Sequence, residues 1–452
     1  MNRFRGRARR TPQAQAPAAI GQRLELGLER LTHDGRGIGQ WQGRTVFVEG
    51  GLPGETVRAR VVQARSKLIE ARLERVLGGD SERQVPVCVH ADLCGGCNLQ
   101  HMPHATQLRI KQQALAQQLQ HFAGIQPEHW AAPLLGPEYG YRQRTRIAVR
   151  WQPEQQRLQV GYRQRGSSEL VEVNQCPILV PALEALLKAL PAVLGRLQAP
   201  QALGHVELIG GERPALLVRH VRALPAADVE ALGVLARAHQ AHCWLQGEEG
   251  QAARCVTADA EQAMPAYRLA DQQLCFEFAP GDFTQVNAEI NQRMVNQALD
   301  WLAPQPGERI LDLFCGVGNF ALALARQGAQ VSAIEGSEAM VARAAANAGK
   351  NALQGLHFSQ ADLSKPVTEI LSGQVWDAAL LDPPRDGAQQ VVRGLAALGV
   401  GRVLYVSCNP ATLARDAGLL AEAGYRLERI GIMDMFPHTA HVEAMALFRH
   451  HK

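Results

Sequence analysis

Long apolar runs are missing from this chain. None approaches the ~20 residues that a membrane-spanning helix requires, which argues against a helical membrane protein. Aromatics are sparse, at 5% beside 46% hydrophobic residues overall, a balance ordinary for a water-soluble α/β protein. An export signal is missing too: the start, "MNRFRGRARR", has five arginines and no acid, but no apolar stretch follows it. A transit peptide is compatible with those arginines. The short length and the "TPQAQAPAA" linker instead favour a disordered basic tail over residues 1–22, suited to meeting phosphate. Nor is there a global excess of charge. The first ten residues carry +5 of a net +4, leaving about −1 for the rest, so any case for nucleic acid must rest on local patches. Nine cysteines in a chain without an export signal argue for reduced thiols, metal ligands or a catalytic thiolate rather than disulfides.

What is present falls into three rhythms. Residues 23–80 read as short strands punctuated by glycine, with Val57-Arg58-Ala59-Arg60-Val61 alternating as a half-buried strand should. A small OB-type β-barrel fits, and Arg58, Arg60, Arg65 and Lys67 suit either nucleic acid or a solvated outer face. A central region, 81–280, holds "VCVHADLCGGCNLQH", an amphipathic helix over 105–124 and the most basic stretch, 139–165. There, seven arginines face one acid, Glu154, and Arg142, Arg144 and Arg146 share one strand face among Tyr139, Tyr141, Trp151 and Tyr162. Arginine for phosphates and aromatics for stacking is a composition that grips single-stranded RNA. From residue 281 to 452 strands alternate with helices, which predicts a doubly wound α/β sheet whose ligands sit beyond the carboxyl ends of its strands. The last two strands have no helix between them and are expected to pair antiparallel at an edge.

The chemistry gathers at those strand ends. In "DLFCGVGNFA", Gly316 and Gly318 allow a tight turn and close approach to a ligand, and Asp312 would attract a cationic group such as the methionine ammonium of S-adenosylmethionine. The same glycines loosely satisfy a dinucleotide fingerprint, so a nicotinamide enzyme competes on this motif. Glu335, at the next strand tip, would accept from ribose hydroxyls in either case. Asp382-Pro383-Pro384-Arg385 resembles the motif of amine methylases, but Arg385 stands where they carry a stacking aromatic, and no cysteine neighbours the prolines as in cytosine-5 enzymes. Cys408, in "VSCNPATLARD", is the one thiol suitably placed among these motifs. Carbon 5 of uracil is too weak a nucleophile to take a methyl group unaided. A thiolate adding to carbon 6 makes it an enolate, and a base must then remove the carbon 5 proton. Glu443, with His438 and His441 nearby in "DMFPHTAHVEAMALF", is the candidate base, although alone it would read as an edge-strand surface residue.

Cys88, Cys94 and Cys97 on one loop, with Cys176 far downstream, give four soft ligands. Two short Cys-x2-Cys knuckles are usual for structural zinc. The three-plus-one spacing suits an iron–sulfur cube better, with zinc and unligated thiols as alternatives.

These stretches together resemble the RlmD (RumA) family of 23S ribosomal RNA uracil-5-methyltransferases. The matching motifs are "HDGRGIG…FVEGGLPGE", which is similar to that family's TRAM domain, the four cysteines, "GDFTQVN", "LDLFCGVGNF", "DPPR", "VSCNPATLARD" and "DMFPHTAHVE". The resemblance implies a class I, Rossmann-like methyltransferase domain at the C-terminus, a TRAM barrel at the N-terminus and a central α+β iron–sulfur and RNA-binding domain. It implies a 4Fe-4S cluster on Cys88, Cys94, Cys97 and Cys176, and S-adenosyl-L-methionine contacts at Gln285, Phe314, Asn319, Glu335, Asp362 and Asp382. Cys408 would be the nucleophile and Glu443 the proton acceptor. The family often has asparagine at position 362, where this chain has aspartate, which can still accept from an adenine amino group. Relatives acting on transfer RNA look similar in the catalytic half but lack the barrel and the four cysteines, and those acting on another 23S uridine lack the barrel. The expected partner is 23S ribosomal RNA, free or partly assembled, for a cytoplasmic monomer with no membrane partner. A nicotinamide oxidoreductase with an iron–sulfur centre and a non-catalytic RNA-binding module are the competing readings.

Overall fold

The computed structural model describes residues 18–79, 81–247, 251–371 and 374–451, so most of the basic tail expected over 1–22 lies outside the described residues. The chain divides into two compact units, one reaching to Gln84 and including His101–Pro103, the other made of Val85–Gln100 and the chain from His104 onward.

In the first unit, strands Arg23–Leu31, Gly37–Trp41, Arg44–Glu49, Glu55–Ala64 and Leu68–Gly79 close into a barrel. Alternation does the work: Leu24, Leu26, Val46, Val57, Ala59 and Ile69 point inward and are buried, while their neighbours face out. Gly39 is required where two strands meet closely, since a Cβ there would lie 2.3 Å from the Gly27 carbonyl oxygen. Arg58 and Arg60, candidates for nucleic acid, pair with Glu25 (2.7 Å) and Glu74 (2.5 Å) on the outside of the barrel.

The second unit holds two seven-stranded sheets. One has Leu203–Ile209 at its centre, flanked by Arg144–Gln152 and Ala215–His220, and it buries Leu183, Leu186, Leu187 and Leu190 of helix Pro181–Leu194. The other runs Leu356–Gln360, Gln330–Glu335, Arg309–Leu313, Ala378–Leu381, Arg402–Ser407, Glu443–His450, Tyr425–Met433. Its first five strands are parallel and the order reverses between Arg309–Leu313 and Ala378–Leu381, which opens a crevice beyond their carboxyl ends.

The last two strands pair antiparallel, as expected. Glu443–His450, however, is not the edge: it lies between Arg402–Ser407 and Tyr425–Met433. The outer strand is itself covered, because Ala131 and Leu134 donate to the carbonyls of Ile430 and Ile432 at 2.8 and 3.0 Å. Helix His104–Ala123 packs its buried Leu115 and Leu119 into the core of this second sheet. Among the described residues no helix is long and apolar enough to cross a membrane.

Candidate active site

Strand Arg309–Leu313 ends in a loop that only a few conformations allow. Phe314, Gly316 and Gly318 all have positive φ, at 66°, 57° and 94°. The N–H groups of Phe314 and Cys315 donate to the Ile334 carbonyl at 2.9 and 3.1 Å, which ties the turn to the next strand. At that strand's tip the Glu335 carboxylate accepts from the N–H of Gly316 (3.2 Å) and of Ser337 (3.0 Å). Asn319 is half-buried and held by Tyr267, whose hydroxyl donates at 2.9 Å, and by a reciprocal amide pair with Asn291 at 3.1 and 2.9 Å. Asp362 is exposed, and accepting from the backbone and hydroxyl of Ser364 holds its carboxyl below the usual range. Gln285 is half-buried, on the segment whose Val286 carbonyl accepts from Gln143 at 2.7 Å.

Asp312 is fully buried near the end of its strand with no side-chain hydrogen-bond partner, and the Ala321 backbone is the one group that favours its charged form. Burial first, then the nearby charges of Asp382 and Glu335, push its carboxyl well above the ordinary value. A buried carboxylate is expensive, and a cationic ligand would relieve it. Burial also lifts Asp382, to about 7.

The turn Ser407-Cys408-Asn409-Pro410 answers why a cysteine sits on a strand tip. Ser407 Oγ accepts from the Asn409 N–H at 3.1 Å. The Asn409 side chain accepts from the Ala411 N–H at 3.1 Å to cap helix Pro410–Glu422, and its amide donates to the Arg385 carbonyl at 2.9 Å. Its neighbours thus satisfy the turn, and Cys408 is left half-buried with its thiol uncommitted to that network. Ser407 pairs in register with Ala444, so Cys408 and Glu443 follow as the facing positions where the two strands end. Burial, then the charges of Glu443 and Asp382, push the Cys408 thiol up, and Arg385 opposes them. Burial and Asp382 push Glu443 up to about 8, against Arg385 and Lys111. His441 Nδ1 stands 3.4 Å from the Arg385 guanidinium. His438 is buried and packs against Tyr139 with centroids 4.5 Å apart and the rings tilted by 31°, and burial drives it down to about 4.

Cys88, Cys94, Cys97 and Cys176 line one cavity of about 440 Å³, with Arg142, Arg146, Arg385 and His441 in the same wall. Among the described residues no three His, Cys, Asp or Glu side chains are gathered so as to hold a single metal ion. The four thiols do influence one another's ionisation, and burial pushes Cys97 up to about 11 and Cys176 up to about 12. Four thiols lining one cavity are soft donors of the kind that an iron–sulfur cluster takes.

Known proteins resemble both units of this chain. Residues 103–451 match the family described as tRNA (uracil-5-)-methyltransferase, and residues 17–73 match the TRAM domain. A protein of Pseudomonas aeruginosa bearing the name 23S rRNA (uracil(1939)-C(5))-methyltransferase RlmD is 53% identical over 99% of each chain. One of the same name from Pseudomonas putida is 54% identical over 97% of this chain and 95% of its own. The chain belongs to the RlmD family of uracil-C5 RNA methyltransferases. The crystal structure of the Pyrococcus abyssi tRNA (uracil-54, C5)-methyltransferase with S-adenosyl-L-homocysteine has the same fold, with a TM-score of 0.70 at 22% identity over 94% of this chain and 100% of that one. Membership makes this an S-adenosylmethionine-dependent methyltransferase, and the nicotinamide and purely RNA-binding readings fall away.

Two features of this RlmD-family site were not legible in the sequence. The arginine-rich strand is not short of acids: Arg144 pairs with Glu207 at 2.8 Å, Arg150 with Glu169 at 3.3 Å, and Arg157 with Glu172. Glu207 comes from strand Leu203–Ile209, whereas Glu169 and Glu172 lie just past the arginine-rich stretch, and of the alternating set Arg142 and Arg146 reach the cavity. Also unforeseen are Gln107 and Lys111, which sit on the buried face of helix His104–Ala123 and meet the loop before Glu443. Two polar residues one turn apart on an apolar helix face were the available signal.

Proposed function

We propose that the protein methylates carbon 5 of one uridine in 23S ribosomal RNA, the position given as 1939 in its relatives' names, through a transient bond between Cys408 and the ring. The observation that carries this reading is the pairing of Ser407 with Ala444, which sets Cys408 and Glu443 opposite each other at the mouth of the crevice. S-adenosylmethionine supplies an electrophilic methyl group. The Cys408 thiolate adds to carbon 6, and the ring electrons move onto carbon 5 and the carbonyl oxygen. Carbon 5 then takes the methyl group and S-adenosylhomocysteine leaves. The Glu443 carboxylate removes the carbon 5 proton, the carbon 6–sulfur bond breaks, and the thiolate departs. A carboxylate whose acid form is favoured up to about pH 8 is a strong base once ionised, which suits that proton transfer. Arg385 opposes the negative charges around Cys408 and favours the thiolate.

Gln285, Phe314, Asn319, Glu335, Asp362 and Asp382 would contact the donor, with Asp312 attracting its ammonium end. The preset Glu335 carboxylate and the buried Asp312, which has no side-chain partner, support this. Cys88, Cys94, Cys97 and Cys176 would hold a 4Fe-4S cluster, tying their loop to Cys176 through iron–thiolate bonds. We assign residues 23–80, 81–280 and 281–452 to a TRAM barrel, a central RNA-binding region and the catalytic domain of a cytoplasmic monomer. The test is transfer of labelled methyl to a 23S transcript and mapping of the product. One 5-methyluridine at position 1939 is expected. Label confined to transfer RNA, or none, would contradict the assignment.

A further inference from the structure

Glu443 begins its strand, so its position depends on the loop Asp434–Val442 that precedes it. Helix His104–Ala123 clamps that loop with side chains alone. Lys111 Nζ donates to Asp434 Oδ1 at 2.7 Å and to the Phe436 carbonyl at 3.0 Å. His104 Nε2 lies 2.5 Å from Asp434 Oδ2. Gln107 Oε1 accepts the His438 N–H at 2.8 Å, where His438 holds a φ of 66° that a non-glycine residue seldom adopts. Lys111 is 2% exposed and Asp434 1% exposed.

A buried ion pair is a poor device for stability. Desolvating both charges offsets most of their attraction, and well-packed apolar substitutes are often as stable or more so. What such a pair supplies is direction, because lysine must reach one carboxylate oxygen and one carbonyl together. Here those two groups lie at the start of the loop that ends in Glu443. We propose that Lys111 and Asp434 are positioning residues for the proton-removal step, the ion pair fixing the loop so that the Glu443 carboxylate faces the ring held by Cys408. The inference rests on the roles proposed above for Cys408 and Glu443.

The pair can be tested without touching either reacting residue. RNA bearing 5-fluorouridine at the target traps the enzyme after methyl transfer, because fluorine cannot leave as a proton does. Trapping therefore needs Cys408 and the donor but not proton removal. In Lys111→Met, S-adenosylhomocysteine binding and fluorouridine trapping should match the parent. Turnover on ordinary RNA should fall about 100-fold, the usual scale for a misplaced catalytic group, and the covalent RNA–protein adduct should accumulate on denaturing gels. The double variant Lys111→Met/Asp434→Leu removes both charges of the pair, leaving His104 beside Glu138 at 3.5 Å, and should show the same pattern, which keeps the test open where the single variant fails to fold. A folded double variant with parental turnover and no adduct overturns the proposal. So does a parallel fall in donor binding, trapping and turnover, the mark of a merely structural pair. A parent enzyme that is not trapped at all sinks the reading of Cys408, and this inference with it.

Discussion

Glu443 concentrates the tension between folding and function at a single residue. Its folded-state pKa lies near 8, above the ordinary 4.5, so the folded protein holds a proton that the unfolded chain gives up between those values. The contribution to stability is fully present below about pH 4.5 and is lost as pH rises through about 8, and Asp382, lifted to about 7, acts in the same direction. Glu443→Gln removes the ionisable group while keeping its shape. The melting temperature of this variant should therefore gain on the parent's as pH is raised from about 6 to about 9, and an offset independent of pH would contradict the assigned cause. Its turnover should nevertheless stall after methyl transfer, with the methylated RNA–protein adduct persisting, because the amide cannot take the proton.

Among the elements, helix Pro410–Glu422 shows how a local signal becomes a site. Asn409 caps it and also holds the Arg385 carbonyl, so Asn409→Ala should cost about 1 kcal/mol of stability in urea unfolding and should lower turnover by more than that loss explains. A fall in stability with unchanged turnover would show that the cap does not aim the catalytic turn. Elements of this kind were legible. Gly316 and Gly318, the Asp382-Pro383 tip and Ser407-Cys408-Asn409-Pro410 are short-range patterns fixed by backbone chemistry, and alternation gave the barrel its inward face. Pairings across the chain were not. Lys111 meets Asp434 across 323 positions, Arg144 meets Glu207 across 63, and neither residue carries a local mark of its partner. The insertion of Glu443–His450 between two strands is likewise a topological fact, and it makes an apparent edge residue a half-buried carboxyl, pushed up to about 8.

On the scale of the whole molecule, the cysteine-lined cavity also takes in Arg385, which acts on Cys408 and Glu443, so the proposed function expects RNA to approach past Arg142 and Arg146. Replacing both arginines with alanine should weaken 23S RNA binding across sequences and reduce the slope of log affinity against log salt by about one for each phosphate no longer neutralised. An unchanged slope would return them to a solvated or cluster-facing role. The proposed chemistry stands on one bond, and the measurement that tests it most directly is incubation with S-adenosylmethionine and 23S RNA carrying 5-fluorouridine at the target. A denaturant-resistant adduct that maps to the peptide around Cys408, and that is absent in Cys408→Ala although S-adenosylhomocysteine still binds, is the predicted result. No adduct, or one on another residue, would contradict it.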